Sequence, residues 1–172
     1  IIRLLTKYDP TSNKLEFNYS SLSYDIADNI NNIDGLDYSE MVGKYVLVET
    51  DLWYVTSICV LENDLGIMTE KEDDYIGIDG VNYPIEPTAF YAANEGDRVH
   101  YFHRGMELYG VSVIRDDSGV LSSYDPETNS IIIDRTKYTI SVASDINVEE
   151  LPDMIGESVT FFADYSNNIY HI

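Results

Sequence analysis

The sequence has little of what marks a redox, metal-dependent or nucleic-acid-binding protein. Cys59 is its only cysteine, so no internal disulfide can form, and zinc would need distant carboxylates as ligands. Ten lysines and arginines stand against 31 aspartates and glutamates, a formal net charge of −21. Binding to phosphate backbones draws on clustered Lys and Arg. The few here are scattered, which argues against nucleic acid and, by the same logic, against an anionic membrane surface. No apolar run approaches the roughly 20 residues of a membrane span. There is no Gly-x-Ser-x-Gly elbow, no His-Glu-x-x-His helix and no glycine-rich phosphate loop. The chain opens at Ile1-Ile2-Arg3-Leu4-Leu5, without an initiator Met or a charged n-region before an apolar segment, and is expected to be a piece of a longer protein.

What the chain has is apolar and aromatic content, 44% and 12% of 172 residues, too much for wholesale disorder. It also has internal repetition. Tyr8-Asp9-Pro10-Thr11-Ser12-Asn13 recurs as Tyr124-Asp125-Pro126-Glu127-Thr128-Asn129, each followed by an apolar strand, Leu15-Glu16-Phe17 or Ile131-Ile132-Ile133. Between them, Ile76-Gly77-Ile78 takes the matching place without a Tyr-Asp-Pro. A Tyr-x-Ile anchor follows as Tyr24-Asp25-Ile26, Tyr83-Pro84-Ile85 and Tyr138-Thr139-Ile140. Next comes Gly-x-x-Val, Gly43 to Val46, Gly96 to Val99 and Gly156 to Val159, and then a closing strand. Anchors in one order, three times over, define units 1–60, 61–115 and 116–172.

Each unit reads as strand, turn, strand, turn, strand, short helical or irregular link, and two further strands. Tyr-Asp-Pro starts a turn because proline fixes φ and aspartate bonds back to the local backbone. Asp79-Gly80 supplies the left-handed positions of a tight hairpin. The glycine of each Gly-x-x-Val ends the link, since glycine takes left-handed dihedrals without cost. The expected fold is all-β with short helical links, as three tandem five-stranded OB-like or SH3-like small barrels. The first unit has two extra residues between Phe17 and Tyr24, and the third has Asp134-Arg135 where the hairpin glycine should be. Formal nets of −5, −7 and −9 spread the acidity over the whole array.

The hairpin Ile76-Gly77-Ile78-Asp79-Gly80-Val81-Asn82-Tyr83 with its later Gly-x-x-Val strand resembles the tandem small β-barrel repeats of Gram-positive cell-surface and S-layer-type proteins and of phage structural proteins. The resemblance implies an extracellular, cell-surface or virion setting, and neighbouring repeats or other subunits as partners. It carries over no functional residue.

Candidate chemistry is sparse. His100 and His103 lie three apart on a strand, so they face opposite sides and cannot jointly grip a metal. Cys59 sits in an apolar strand, where a small buried hydrophobe is the ordinary reading. Calcium, which takes six to eight oxygens from flexible loops, is the one metal suggested, at Asp73 and Asp74 and at Asp116 and Asp117, both stretches being loop-like. Solvated turns are the preferred reading of all four. Trp53 and Tyr54 could build an aromatic platform for a sugar, although aromatics covering thin β cores are commoner.

Repeats with no catalytic constellation and no cofactor motif point to a non-enzymatic structural array: a stalk, spacer or coat element. A glycan- or protein-binding module is the alternative, to be recognised by an exposed aromatic cluster in one copy and not in its sisters. An acidic mimic of nucleic acid comes third.

Overall fold

The computed structural model describes residues 1–85 and 91–172. Its strands are β1 (Ile2–Asp9), β2 (Lys14–Phe17), β3 (Ser23–Asn32), β4 (Tyr45–Asp51), β5 (Tyr54–Val60), β6 (Glu62–Lys71) and β7 (Tyr75–Ile78). They continue with β8 (Val81–Pro84), β9 (Arg98–Arg104), β10 (Glu107–Asp125), β11 (Ser130–Ile133), β12 (Thr136–Ile140), β13 (Ser158–Asp164) and β14 (Asn168–His171). Helix among the described residues is limited to α1 (Tyr38–Met41) and a 3₁₀ turn at Leu151–Met154. The all-β expectation holds.

Strands β1 to β5 close into a barrel in the order β1-β2-β3-β5-β4. The β3–β5 pair is parallel. The other nine strands form one sheet, β11-β12-β14-β13-β10-β9-β6-β7-β8, in which an additional β10–β11 pairing closes β10 to β14 into a second ring. That ring repeats the order of the first, with β12 and β14 as its parallel pair. Each ring encloses its own core. Leu15, Phe17, Ile26, Met41, Val46, Val48, Val55 and Ile58 fill the first with Leu5, and Leu121, Ile131, Ile133, Ile140, Leu151, Val159, Phe161, Ala163 and Ile169 fill the second.

Two backbone devices recur three times. In the first, a buried apolar residue sits at a β-bulge: Leu5, Met68 and Leu121. The carbonyl of each accepts the amide of a left-handed glycine, Gly43, Gly96 or Gly156, at 2.7–2.8 Å. The amide of each donates to the carbonyl of the following residue, Lys44, Asp97 or Glu157. In the second, Asn18, Asp79 and Asp134 each accept a backbone amide on the side chain, from Leu4, Ile67 and Val120. The amides of these three residues return a bond to the carbonyls of the same partners. Strand register is thereby pinned at the same place each time. Leu15, Ile76 and Ile131 lie between Tyr8 and Tyr24, between Lys71 and Tyr83, and between Tyr124 and Tyr138, and all three are fully buried.

The middle stretch corrects the expectation of a third barrel. Its strands run in the order β8-β7-β6-β9-β10, an open sheet, and among the described residues β8 has no second neighbour. A physical reason lies at the residue after the anchor tyrosine. In the first ring the Asp25 amide donates to the Trp53 carbonyl at 2.8 Å, and in the second the Thr139 amide donates to the Asn167 carbonyl at 2.9 Å. These bonds join the third strand to the fifth. The equivalent residue in the middle stretch is Pro84, which has no amide hydrogen to give.

Other turns follow the sequence reading. Asp9 and Asp125 each accept two backbone amides and the Ser12 or Thr128 hydroxyl, and these bonds hold both carboxyls below the usual aspartate range. Asp79-Gly80 takes φ values of +50° and +80°. Asp134-Arg135, with +46° and +77°, makes the same hairpin without glycine. Internal contacts divide the chain into two compact units, 1–63 with 102–110, and 64–101 with 111–172. Within the first, Tyr45, Cys59, Leu61 and Phe102 form a second apolar cluster on the outer side of the barrel, and Arg104 reaches Asp34 at 2.7 Å.

A Cβ added at Gly43, Gly96 or Gly156 would meet nothing within 4 Å, so substitution there tests backbone strain alone. Gly43→Ala, Gly96→Ala and Gly156→Ala are each expected to lower stability by about 1–2 kcal/mol, the cost of a left-handed L-residue, in chemical denaturation. A neutral substitution at any of the three would show that its glycine does not hold the bulge.

Candidate functional site

Trp53 and Tyr54 are not core residues. Trp53 is 55% and Tyr54 51% exposed, at the tip between β4 and β5, where Leu52 (82% exposed) adopts a φ of +53°. The parallel register sets Asp25 beside Tyr54, and the Asp25 amide bonds to Trp53. The start of β3 and the loop before it therefore lie at the same end of the barrel as the tip. That loop, residues 18–22, is the one with two extra residues, and it exposes Tyr19 (62%) and Leu22. Asn18 fastens it to Leu4, while the Ser20 hydroxyl and Leu22 bond to each other. The result is an apolar mouth of Tyr19, Leu22, Leu52, Trp53 and Tyr54 on one ring.

The equivalent end of the second ring is built differently. Its loop is the two-residue hairpin Asp134-Arg135, and its tip is Tyr165-Ser166-Asn167. Tyr165 is exposed at that tip with the Arg115 guanidinium 4.7 Å above its ring, and the exposed Val120 donates its amide to Asp134 of the hairpin. In the open sheet the equivalent tip is Gly105-Met106, with Met106 exposed. A five-strand ring therefore closes without this mouth, which makes it an addition to the fold.

The acidic candidates are dispersed. Asp73 and Asp74 form an exposed turn between β6 and β7, where the Asp74 carbonyl accepts the Ile85 amide. Asp116 and Asp117 are not in a loop, which corrects the sequence reading. They lie inside β10, opposite Phe162 and Phe161 of β13, and successive strand residues face opposite sides. The two rows of β10 and β13 pair continuously from Ile114 to Val120, leaving no room for a turn. Among the described residues no group of three or more His, Cys, Asp or Glu side chains is arranged to hold a metal ion.

Two shallow clefts lie in the second unit. One, of about 270 Å³, is bounded by Arg115, Asp116, Asp117, Tyr138, Asp164 and Tyr165. The other, of about 300 Å³, includes Leu65, Arg98, Phe162, Tyr170 and His171, with Arg98 stacked 4.1 Å above Phe162. Both are small for a ligand pocket.

His100 and His103 are both buried. His103 Nδ1 lies 3.0 Å from the Gly105 carbonyl. His100 Nδ1 lies 2.9 Å from the Tyr170 hydroxyl, which donates to Asp164. Since that hydroxyl has one proton and gives it to Asp164, the His100 Nδ1 must carry its own. Asp164 also accepts the Ser166 and Asn168 amides and the Asn168 side chain, so the network shapes the β13–β14 turn. Periodicity carried no sign of it, because a histidine facing inward looks like one facing out.

Burial holds the His100 pKa down at about 4, with Asp164 and Asp64 opposing the shift. The unfolded value is near 6.5, so the unfolded state binds the extra proton between these limits and stability falls as pH drops through them. The full contribution is present above pH 6.5. Between pH 7 and 4.5 the protein is expected to lose about 2–3 kcal/mol more stability than the His100→Gln variant, as measured by denaturant titration. Parallel losses in the two proteins would contradict this.

No protein-family model matches the chain, and no curated protein shows significant similarity to it.

Proposed function

We propose that the chain is a non-enzymatic structural array, a stalk, spacer or coat element of an extracellular or virion protein, built from three tandem OB-like repeats of which the middle one is open. The carrying observation is the threefold recurrence of the bulge–glycine bond and of the Asx–strand exchange. Val46, Val99 and Val159 follow these bonds at equivalent positions, and all are buried. Repetition of this kind reuses a scaffold, and added repeats extend a structure without new chemistry. The resemblance to repeats of Gram-positive surface layers and phage structural proteins fits the same reading, with neighbouring repeats or other subunits as partners. No cofactor is part of it, and the acidic turns serve solubility. The histidines engage Tyr170, Gly105 and Asp145, which suits a scaffold better than acid–base catalysis.

A second reading, a binding module for a protein or glycan, is favoured by the apolar mouth of the first ring, which the second ring lacks.

Small-angle scattering tests the array. A spacer should give a radius of gyration well above the roughly 15–16 Å of a 172-residue globule, increasing at low salt as like-charged repeats repel over a longer screening length. A value near 15–16 Å, insensitive to salt, would remove the spacer reading.

A further inference from the structure

We propose that the mouth of the first barrel, Tyr19, Leu22, Leu52, Trp53 and Tyr54, docks a polypeptide that offers apolar anchors flanked by lysine or arginine; this deepens the binding-module reading and rests on it. The two closed rings serve as each other's control. They share strand order, parallel closure, bulge and glycine, yet at this end one has the charged hairpin Asp134-Arg135 and the other a longer loop exposing Tyr19 and Leu22. Leu52, the most exposed large hydrophobe of the described residues, sits at the tip with Trp53. Leu52 and Trp53 project at a surface tip, where covering their apolar surface would be favourable.

The composition of the mouth bears on the occupant. Trp and Tyr are enriched among the residues that anchor protein interfaces, whose centres are apolar and depleted of charge. Here two leucines stand among three aromatics. Glu49 and Asp51, at the end of β4 beside this tip, are exposed and have no ion pair among the described residues. These two carboxylates on the β4 edge favour a basic group on the partner there, whereas Asp25 on the β3 side is already paired with Lys14. The same charge opposes docking of a second copy of this chain, since carboxylates would face carboxylates on molecules already at −21.

The test is selection of displayed random dodecapeptides on the intact chain, counter-selected on Leu52→Ser/Trp53→Ser, beside a glycan array probed with the same two proteins. Both substitutions are on exposed side chains, and unchanged thermal midpoints verify that the variants fold. Enriched peptides should combine Leu, Trp or Phe with a net positive charge. Their affinity should drop about tenfold or more with either single substitution and weaken between 50 and 500 mM NaCl. Tyr165→Ser, at the corresponding tip of the second ring, should change nothing. Enriched peptides without positive charge, salt-independent binding, or equal loss with Tyr165→Ser would overturn the proposal. Glycan binding lost in the double variant would overturn it too while keeping a binding module. No enrichment on either array would remove the binding-module reading itself.

Discussion

One bond, from a left-handed glycine to a bulged strand, recurs at three places in this chain, two of them in closed rings. The first strand of a small closed barrel must bend so that its opening half pairs with the fourth strand and its later half with the second. A bulge supplies that bend. In β1 the halves are Ile2–Leu4 against β4 and Leu5–Asp9 against β2, and Leu5 is the pivot. Its carbonyl and amide both point to the turn that launches β4, and Gly43 and Lys44 engage them. Because side chains alternate along a strand, fixing this point fixes which residues face inward. Leu15 and Phe17, then Val46 and Val48, follow from it. The same holds for Met68 with Gly96 and for Leu121 with Gly156.

Whether a unit then closes depends on much less. In both rings the third and fifth strands pair in parallel, starting at Asp25–Ile26 against Tyr54–Val55 in the first, where the pairing resumes at Asn31–Asn32, and at Thr139–Ile140 against Asn168–Ile169 in the second. The entry bond comes from the residue after the anchor tyrosine, and proline there withholds it. The bulge, the glycine and the hairpin of the middle stretch are all intact, and Pro84, which has no amide hydrogen, stands where the closing donor of the other two would be.

The sequence made the repeat visible because its anchors are backbone-determining residues. The Asp of Tyr-Asp-Pro caps its turn, Asp79-Gly80 has the dihedrals of a tight hairpin, and the Gly-x-x-Val glycines are all left-handed. Where a side chain does the same work against its propensity, the pattern fades. Arg135 at φ +77° hides a hairpin equal to Asp79-Gly80. The capping box of α1, Asp37 with Glu40, has the spacing of a known signature but is followed by no long apolar periodicity. Openness of the middle unit was written in Tyr83-Pro84-Ile85, yet its meaning required knowing which amide closes a ring. The site was less legible still. Trp53 and Tyr54 belong to β-prone types that cover cores more often than they face water, and only the tip geometry shows them exposed. Asp116 and Asp117 look like a turn next to Ser118-Gly119 until the pairing with β13 is known.

Hydrogen exchange of backbone amides under native conditions tests the recurring bond most directly. If glycine-to-bulge bonding organises all three units, the amides of Gly43, Gly96 and Gly156 will exchange as slowly as those of Leu5, Met68 and Leu121, although each glycine sits in a surface turn. Exchange of these glycines at the rate of Gly80, in the exposed hairpin, would contradict the account.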